Sequence, residues 1–184
     1  MQRPNSISDY AIYILFRLTA VFLRLLPVGV SFFIGRRVGE LFYLFDLKHR
    51  ALAYANLKVA FGKEYSPSTL RAITFDFYRT FGQNFIEIFL LSVIDKAYLK
   101  RYVVVEGLEN ISQALQKGRG LILVAVHAGG WELSNTVCAN LGFNFNMFVR
   151  EQPRYPLLEN LLNSYRVQKG CKLIQRSSQT RRLI

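Results

Sequence analysis

The chain has 184 residues, enough for one domain with a hydrophobic core, and 51% of them are hydrophobic and 14% aromatic. Its net charge of +12 at pH 7 favours an anionic partner, either a nucleic acid, a membrane surface or a phosphorylated substrate. No zinc-finger spacing, glycine-rich phosphate loop or RNA-binding aromatic signature is present, and the basic residues are interleaved with apolar stretches, so an anionic lipid surface is favoured over nucleic acid.

The first apolar run, residues 10–26, has nearly the length of a membrane span but carries Arg17 and Arg24 and meets Pro27. The two arginines are seven residues apart and share one helix face. This pattern favours an amphipathic helix in the membrane interface, with arginines that reach back to water. A spanning helix and a core helix remain alternatives.

Further helices are predicted over residues 29–46, from 48 to about 62 and from 66 to about 92, where Pro67 suits a first helical turn. Aromatic residues are concentrated in the first ninety positions. We therefore predict a domain of membrane-associated helices over residues 1–62 and an α/β core over residues 63–184.

From residue 102 onward, apolar and β-branched runs alternate with helical patterns. Strands are predicted over residues 102–107, 121–126, 143–149 and 171–174, with helices between them. Strands that alternate with helices pair in parallel, so the predicted fold class is α/β, a mostly parallel open sheet flanked by helices. The membrane-facing N-terminal helices precede this sheet.

The stretch 121–135, LILVAVHAGGWELSN, places His127 at the carboxyl end of a predicted buried strand. In open α/β sheets the reactive groups lie beyond the carboxyl ends of the strands. Gly129 and Gly130 permit a tight turn and a close backbone approach by a ligand. Glu132 then falls in the first turn of the next helix, from which its carboxylate can reach the imidazole. A carboxylate bonded to one ring nitrogen makes the other a better base, so His127 is a candidate general base and Glu132 its partner.

A purely structural role is the alternative for His127, because two histidines and 12 acidic residues give this spacing by chance fairly often. The second histidine, His49, lies in a basic helix and is interpreted as a surface residue. Cys138 and Cys171 lack the spacing of a redox pair or metal knuckle, and we interpret them as idle thiols. With no clustered ligand set, we expect no metal.

Several segments carry a family resemblance. GRGLILVAVHAGGWELSN resembles the first motif of the lysophospholipid acyltransferase superfamily, a histidine followed five positions later by an acidic residue. The glutamate and the GxWE string resemble, more narrowly, the bacterial lipid A biosynthesis acyltransferases. LPVGVSFFIGRRVGELFYL, ANLKVAFGKEYSP, VVEGLENISQALQKGRG and FVREQPRYPLLENLLNSYRVQKGCKLIQR resemble further blocks of that branch, so the resemblance extends over nearly the whole chain.

The resemblance implies transfer of an acyl group from an acyl carrier protein or coenzyme A thioester to a hydroxyl of a membrane glycolipid or lipid. No cofactor is expected beyond this acyl donor. The expected partners are a membrane lipid acceptor, acyl carrier protein and an anionic membrane surface, with no nucleic acid. The expected location is the cytoplasmic face of the inner membrane, reached either peripherally or through a single N-terminal anchor.

Carried over by position, the resemblance makes His127 the base and Glu132 its partner, with Gly129, Gly130 and Trp131 against the substrate. It also matches Arg150 and Arg166 to family arginines that serve the anionic acceptor or the transition state. A planar guanidinium grips phosphates and carboxylates through two hydrogen bonds. A solvated helix face is the alternative for each arginine, and Arg154 and Arg176 are weaker candidates.

The chain departs from the family pattern in two respects. The family usually has asparagine where Gly130 stands, and its members are longer, with later motifs that have no counterpart here. We therefore expect a C-terminally truncated chain. A truncated, noncatalytic lipid-binding module of the same fold is the alternative function.

Overall fold

The computed structural model describes residues 6–126, 128–143, 145–150, 154–168 and 170–175. Within these ranges the chain forms eight helices and two short strands. Contacts divide it into two compact units, one from Ser6 to Leu90 and one from Leu91 onward. We call them the helical unit and the site unit, and describe each by itself. The predicted domain boundary after residue 62 stays a prediction.

The helical unit consists of α1 (Ile7–Arg24), α2 (Val28–Phe45), α3 (Leu47–Phe61) and α4 (Pro67–Leu90). Their starting points follow from local sequence. The side-chain hydroxyls of Ser6 and Ser66 accept hydrogen bonds from backbone N–H groups in the first turns of α1 and α4, each with an N–O distance of 3.2 Å. The Asp46 carboxylate accepts the corresponding hydrogen bond at the start of α3. Pro27 directly precedes α2, and because proline has no backbone N–H it leaves no unbonded donor at this position.

Helices α2 and α4 approach each other at backbone distance. Their buried positions recur every four residues, as in the packing of i±4 ridges. The contact is made by Gly35 and Gly39 on α2 and by Gly82 on α4. A Cβ atom on Gly39 would overlap the carbonyl oxygen of Tyr78, and one on Gly82 would overlap that of Gly35. Glycine is therefore required here for space rather than for backbone conformation.

A small apolar cluster joins α1, α2 and the end of α4. Leu23, Ile86 and Leu90 are buried, and the Phe16 and Phe89 rings stack with centroids 4.5 Å apart. The buried hydroxyl of Ser31 donates to the Leu23 carbonyl oxygen at 3.0 Å, so that this polar group is satisfied within the cluster.

The opposite face of α1 is apolar and exposed. Leu15, Leu18, Phe22 and Leu25 recur at helical spacing, and each is more than half exposed. The buried residues Phe16, Ala20 and Leu23 lie on the other face of the same helix, which contacts α4. Among the described helices, none combines the length and apolar character needed to cross a bilayer.

The site unit consists of α5 (Lys96–Tyr102), α6 (Leu108–Gln116), α7 (Trp131–Asn140), β1 (Asn146–Val149), α8 (Pro156–Gln168) and β2 (Lys172–Gln175). Strands β1 and β2 pair in parallel, with Asn146 opposite Lys172 and Val149 opposite Gln175. Helix α8 connects the two strands and contacts β2. The βαβ segment therefore holds the start of β2 and the end of α8 close together.

The predicted fold class, an α/β fold with a mostly parallel open sheet flanked by helices, is wrong for this structure, which is mostly helical in its described residues. The expected strands over residues 102–107 and 121–126 are not part of any sheet, and Val104, Ile122 and Val124 are each at least 86% exposed. A β-branched run fits a pleated surface only when neighbouring strands bond to it. Among the described residues, β1 and β2 alone pair in a sheet.

We predict that Gly39→Ala destabilises the helical unit by about 1–2 kcal/mol, because the overlap with Tyr78 outweighs the better helix propensity of alanine. Gly29→Ala in the same helix is the matched control, since nothing lies within 4 Å of its added Cβ. It should leave stability unchanged or raise it by up to about 1 kcal/mol. Urea unfolding measures both variants, and equal midpoints would refute the backbone contact.

Candidate active site

The turn before α7 depends on two glycines. Gly129 has a φ of +62°, in the left-handed region that favours glycine. Gly130 is the N-cap of α7, without a side chain to bond the first free N–H groups of that helix. Both glycines therefore leave backbone accessible at this helix start. His127 lies outside the described residues, so its role as base and its contact with Glu132 stay predictions.

Glu132, in the first turn of α7, forms an ion pair with Arg166, in the last turn of α8. Arg166 Nε donates to Glu132 Oε2 at 3.0 Å, and Nη2 donates to Oε1. The two side chains are only 12% and 16% exposed. A bidentate pair with this little water around it is stronger than a surface ion pair, because both ions are partly desolvated and both carboxylate oxygens are bonded. The pair links two helices that are far apart in sequence.

The side chain of Asn163 forms a hydrogen bond with the Arg166 side chain of this ion pair. Asn163 precedes Arg166 by one helical turn, and its Oδ1 accepts from Arg166 Nη1 at 2.7 Å. A guanidinium has five N–H donors, so these three bonds leave two others. Arg166, predicted as a substrate-binding residue, is thus also the group that fixes the predicted partner of the base.

An open cavity of about 380 Å³ lies beside the pair, within the size range of small-ligand sites. Four of the predicted site residues line it together: Trp131, Glu132, Arg150 and Arg166. Most of the remaining lining is apolar and comes from β1 and α8, namely Met147, Phe148, Val149, Leu158 and Leu162. The cavity therefore combines an apolar wall with charged groups at one side.

Arg150 directly follows β1 and is exposed. Within the described part of the chain its guanidinium has no hydrogen-bond or ion-pair partner, which leaves it available to an anionic group. Of the weaker candidates, Arg154 has its guanidinium 5.4 Å from the centre of the Tyr155 ring, and Arg176 lies outside the described residues.

Sequence reasoning missed Tyr155, Glu159 and Asn163. Tyr155 and Glu159 line the cavity, and Asn163 bonds Arg166. The helical spacing of three and seven residues before Arg166 is the signal that could have identified Asn163 and Glu159, because residues at that spacing share a helix face.

Both cysteines are free. Cys171 is buried beside Glu132 and Arg166, and burial raises the pKa of its thiol, while the charge of Arg166 acts in the opposite direction. Burial also raises the pKa of Cys138. A raised thiol pKa disfavours the reactive thiolate at neutral pH, in keeping with the interpretation of idle thiols.

Comparisons with known proteins identify the family of the chain. The family model described as bacterial lipid A biosynthesis acyltransferase matches residues 2–184. The chain is similar to the lipid A biosynthesis palmitoleoyltransferase of Escherichia coli (strain K12) and to the lipid A biosynthesis acyltransferase of Shigella flexneri. Each is 28% identical over 112 residues, which cover 61% of this chain and 36% of the relative. No solved structure matches significantly. Because the family model matches nearly the whole length, the chain belongs to the bacterial lipid A biosynthesis acyltransferase family.

Proposed function

We propose that the protein transfers a fatty acyl group from an acyl carrier protein or coenzyme A thioester to a hydroxyl of a lipid A precursor or a related glycolipid or lysolipid. The observation that carries this proposal is the fixed carboxylate of Glu132, held by Arg166 at the start of α7 beside an open, mostly apolar cavity. Family membership supplies the reaction class.

In the proposed reaction, His127 takes the proton of the acceptor hydroxyl, and the hydroxyl oxygen attacks the thioester carbonyl carbon. Collapse of the tetrahedral intermediate breaks the C–S bond, and the departing sulfur takes the proton from His127. The products are an ester and a free thiol. Glu132 has oxygen lone pairs left after its two bonds to Arg166, and with one of these it accepts an imidazole N–H and orients the ring.

The other predicted site residues and the cavity wall have three roles in this proposal. Arg150, exposed at the end of β1, binds an anionic group of the acceptor or the donor. Gly129, Gly130 and Trp131 bring backbone close to the reacting carbonyl, since the two glycines place no side chain there. The apolar wall accommodates hydrocarbon of the substrates.

The helical unit gives the enzyme its location in this proposal. The exposed apolar face of α1 lies in the interface of the inner membrane at the cytoplasmic side, and the net charge of +12 attracts anionic headgroups. The same surplus of basic residues suits an acidic carrier protein as donor.

We predict that His127→Ala or Glu132→Gln lowers acyl transfer by about 10²-fold or more, because each removes part of the general base. The measurement is transfer from labelled acyl carrier protein to a lipid A precursor and to a lysolipid. His49→Ala is the matched control, since the side chain of His49 is 68% exposed and lies in the helical unit.

Transfer by the His127→Ala protein at the parental rate would overturn the proposed mechanism. Substrate binding without turnover by the parental protein would favour the alternative, a noncatalytic lipid-binding module.

We predict that the protein binds vesicles with anionic lipid more tightly than neutral vesicles, and less tightly as salt is raised. Phe22→Glu should weaken binding about tenfold, because it places a charge on the exposed face of α1. Val167→Glu on α8 is the control, since Val167 and Phe22 are almost equally exposed, at 55% and 56%. Equal loss in the two variants in a vesicle sedimentation assay would argue against α1 as the membrane-binding face.

A further inference from the structure

We infer that Asn163 is a positioning residue for acyl transfer: it fixes the guanidinium of Arg166 so that its other edge holds Glu132. This inference rests on the proposed function, in which Glu132 orients the base. Nothing in the sequence motif or in the family resemblance assigns a role to Asn163.

The geometry gives each edge of the guanidinium a separate task. Nη1 donates to Asn163 Oδ1 at 2.7 Å, while Nε and Nη2 donate to the two oxygens of Glu132. Because a guanidinium is planar, bonds on two of its sides determine the orientation of its plane. Asn163 therefore selects the Nε–Nη2 edge as the one that faces α7.

The local structure supports this assignment. Asn163 and Arg166 lie three residues apart on α8 and so share one face of that helix. Both side chains are half-buried, which limits the water that could replace either bond. Without Asn163, Arg166 regains rotamer freedom and can present a different edge to Glu132, which leaves the carboxylate less well placed beside the imidazole.

The test uses Asn163→Ala, with Asn160→Ala as its matched control. Asn160 is the same residue type on the same helix, one turn earlier, and is exposed. Loss of one hydrogen bond to a charged group corresponds to a decrease in kcat of about tenfold, with KM unchanged within about twofold. Asn163→Asp keeps an acceptor oxygen and should recover most of that rate, which separates positioning from a general loss of folding.

Two further readouts report action through Arg166 and Glu132. In a Glu132→Gln background, Asn163→Ala should cause no additional loss, because the residue it acts on is already changed. The second readout is ¹⁵N NMR of the Arg166 Nε–H group, whose signal is assigned by its absence in Arg166→Lys. The Nε–H proton should exchange with water faster in Asn163→Ala than in the parental protein, and at the parental rate in Asn160→Ala.

The inference is overturned when Asn163→Ala matches Asn160→Ala in both kcat and Nε–H exchange, or when its effect adds fully to that of Glu132→Gln. Failure of the proposed function is a different result: the parental protein transfers no acyl group to either acceptor. In that case the NMR comparison alone decides whether Asn163 holds Arg166.

Discussion

The ion pair between Glu132 and Arg166 is the interaction on which the candidate site depends. It joins the first turn of α7 to the last turn of α8, and its two members are 34 positions apart in the sequence. Residues 121–126 before α7 belong to no sheet in this structure, so that the start of α7 is not positioned by a strand. The pair connects the start of α7 to α8 instead, beside Trp131 and the cavity. Breaking a partly buried pair leaves a charge without its partner, which costs more than the intact pair contributes.

The helical unit is built on a different constraint, the close approach of α2 and α4 at Gly35, Gly39 and Gly82. One face of α1 packs against α4, while its other face, which includes Phe22, stays apolar and exposed. A short apolar stripe without a described protein partner is what an interfacial helix requires. In the proposed function the two units have separate tasks: the helical unit contacts the lipid surface, and the site unit holds a carboxylate beside an apolar cavity.

Helix positions could be predicted because their signals are local. Pro27 and Pro67 mark the starts of α2 and α4, and the predicted runs agree with the observed helices to within a few residues. The strands predicted over residues 143–149 and 171–174 correspond to β1 and β2, which pair in parallel. The other two predicted strands are wrong, because pairing depends on distant segments: VVV at 103–105 and LILVAV at 121–126 have strand composition, yet neither pairs. For the candidate site, single residues could be predicted from the sequence but the contacts between them could not. The motif identified Glu132 and the resemblance identified Arg166, but neither signal indicated that the two side chains bond each other or that Asn163 joins them.

A double-mutant cycle in the free energy of unfolding, with Glu132→Gln, Arg166→Met and the combined variant, tests the central claim most directly. A bidentate, partly buried pair predicts a coupling of about 1–3 kcal/mol between the two substitutions. Effects that add to within about 0.5 kcal/mol would contradict the claim that this pair holds α7 against α8.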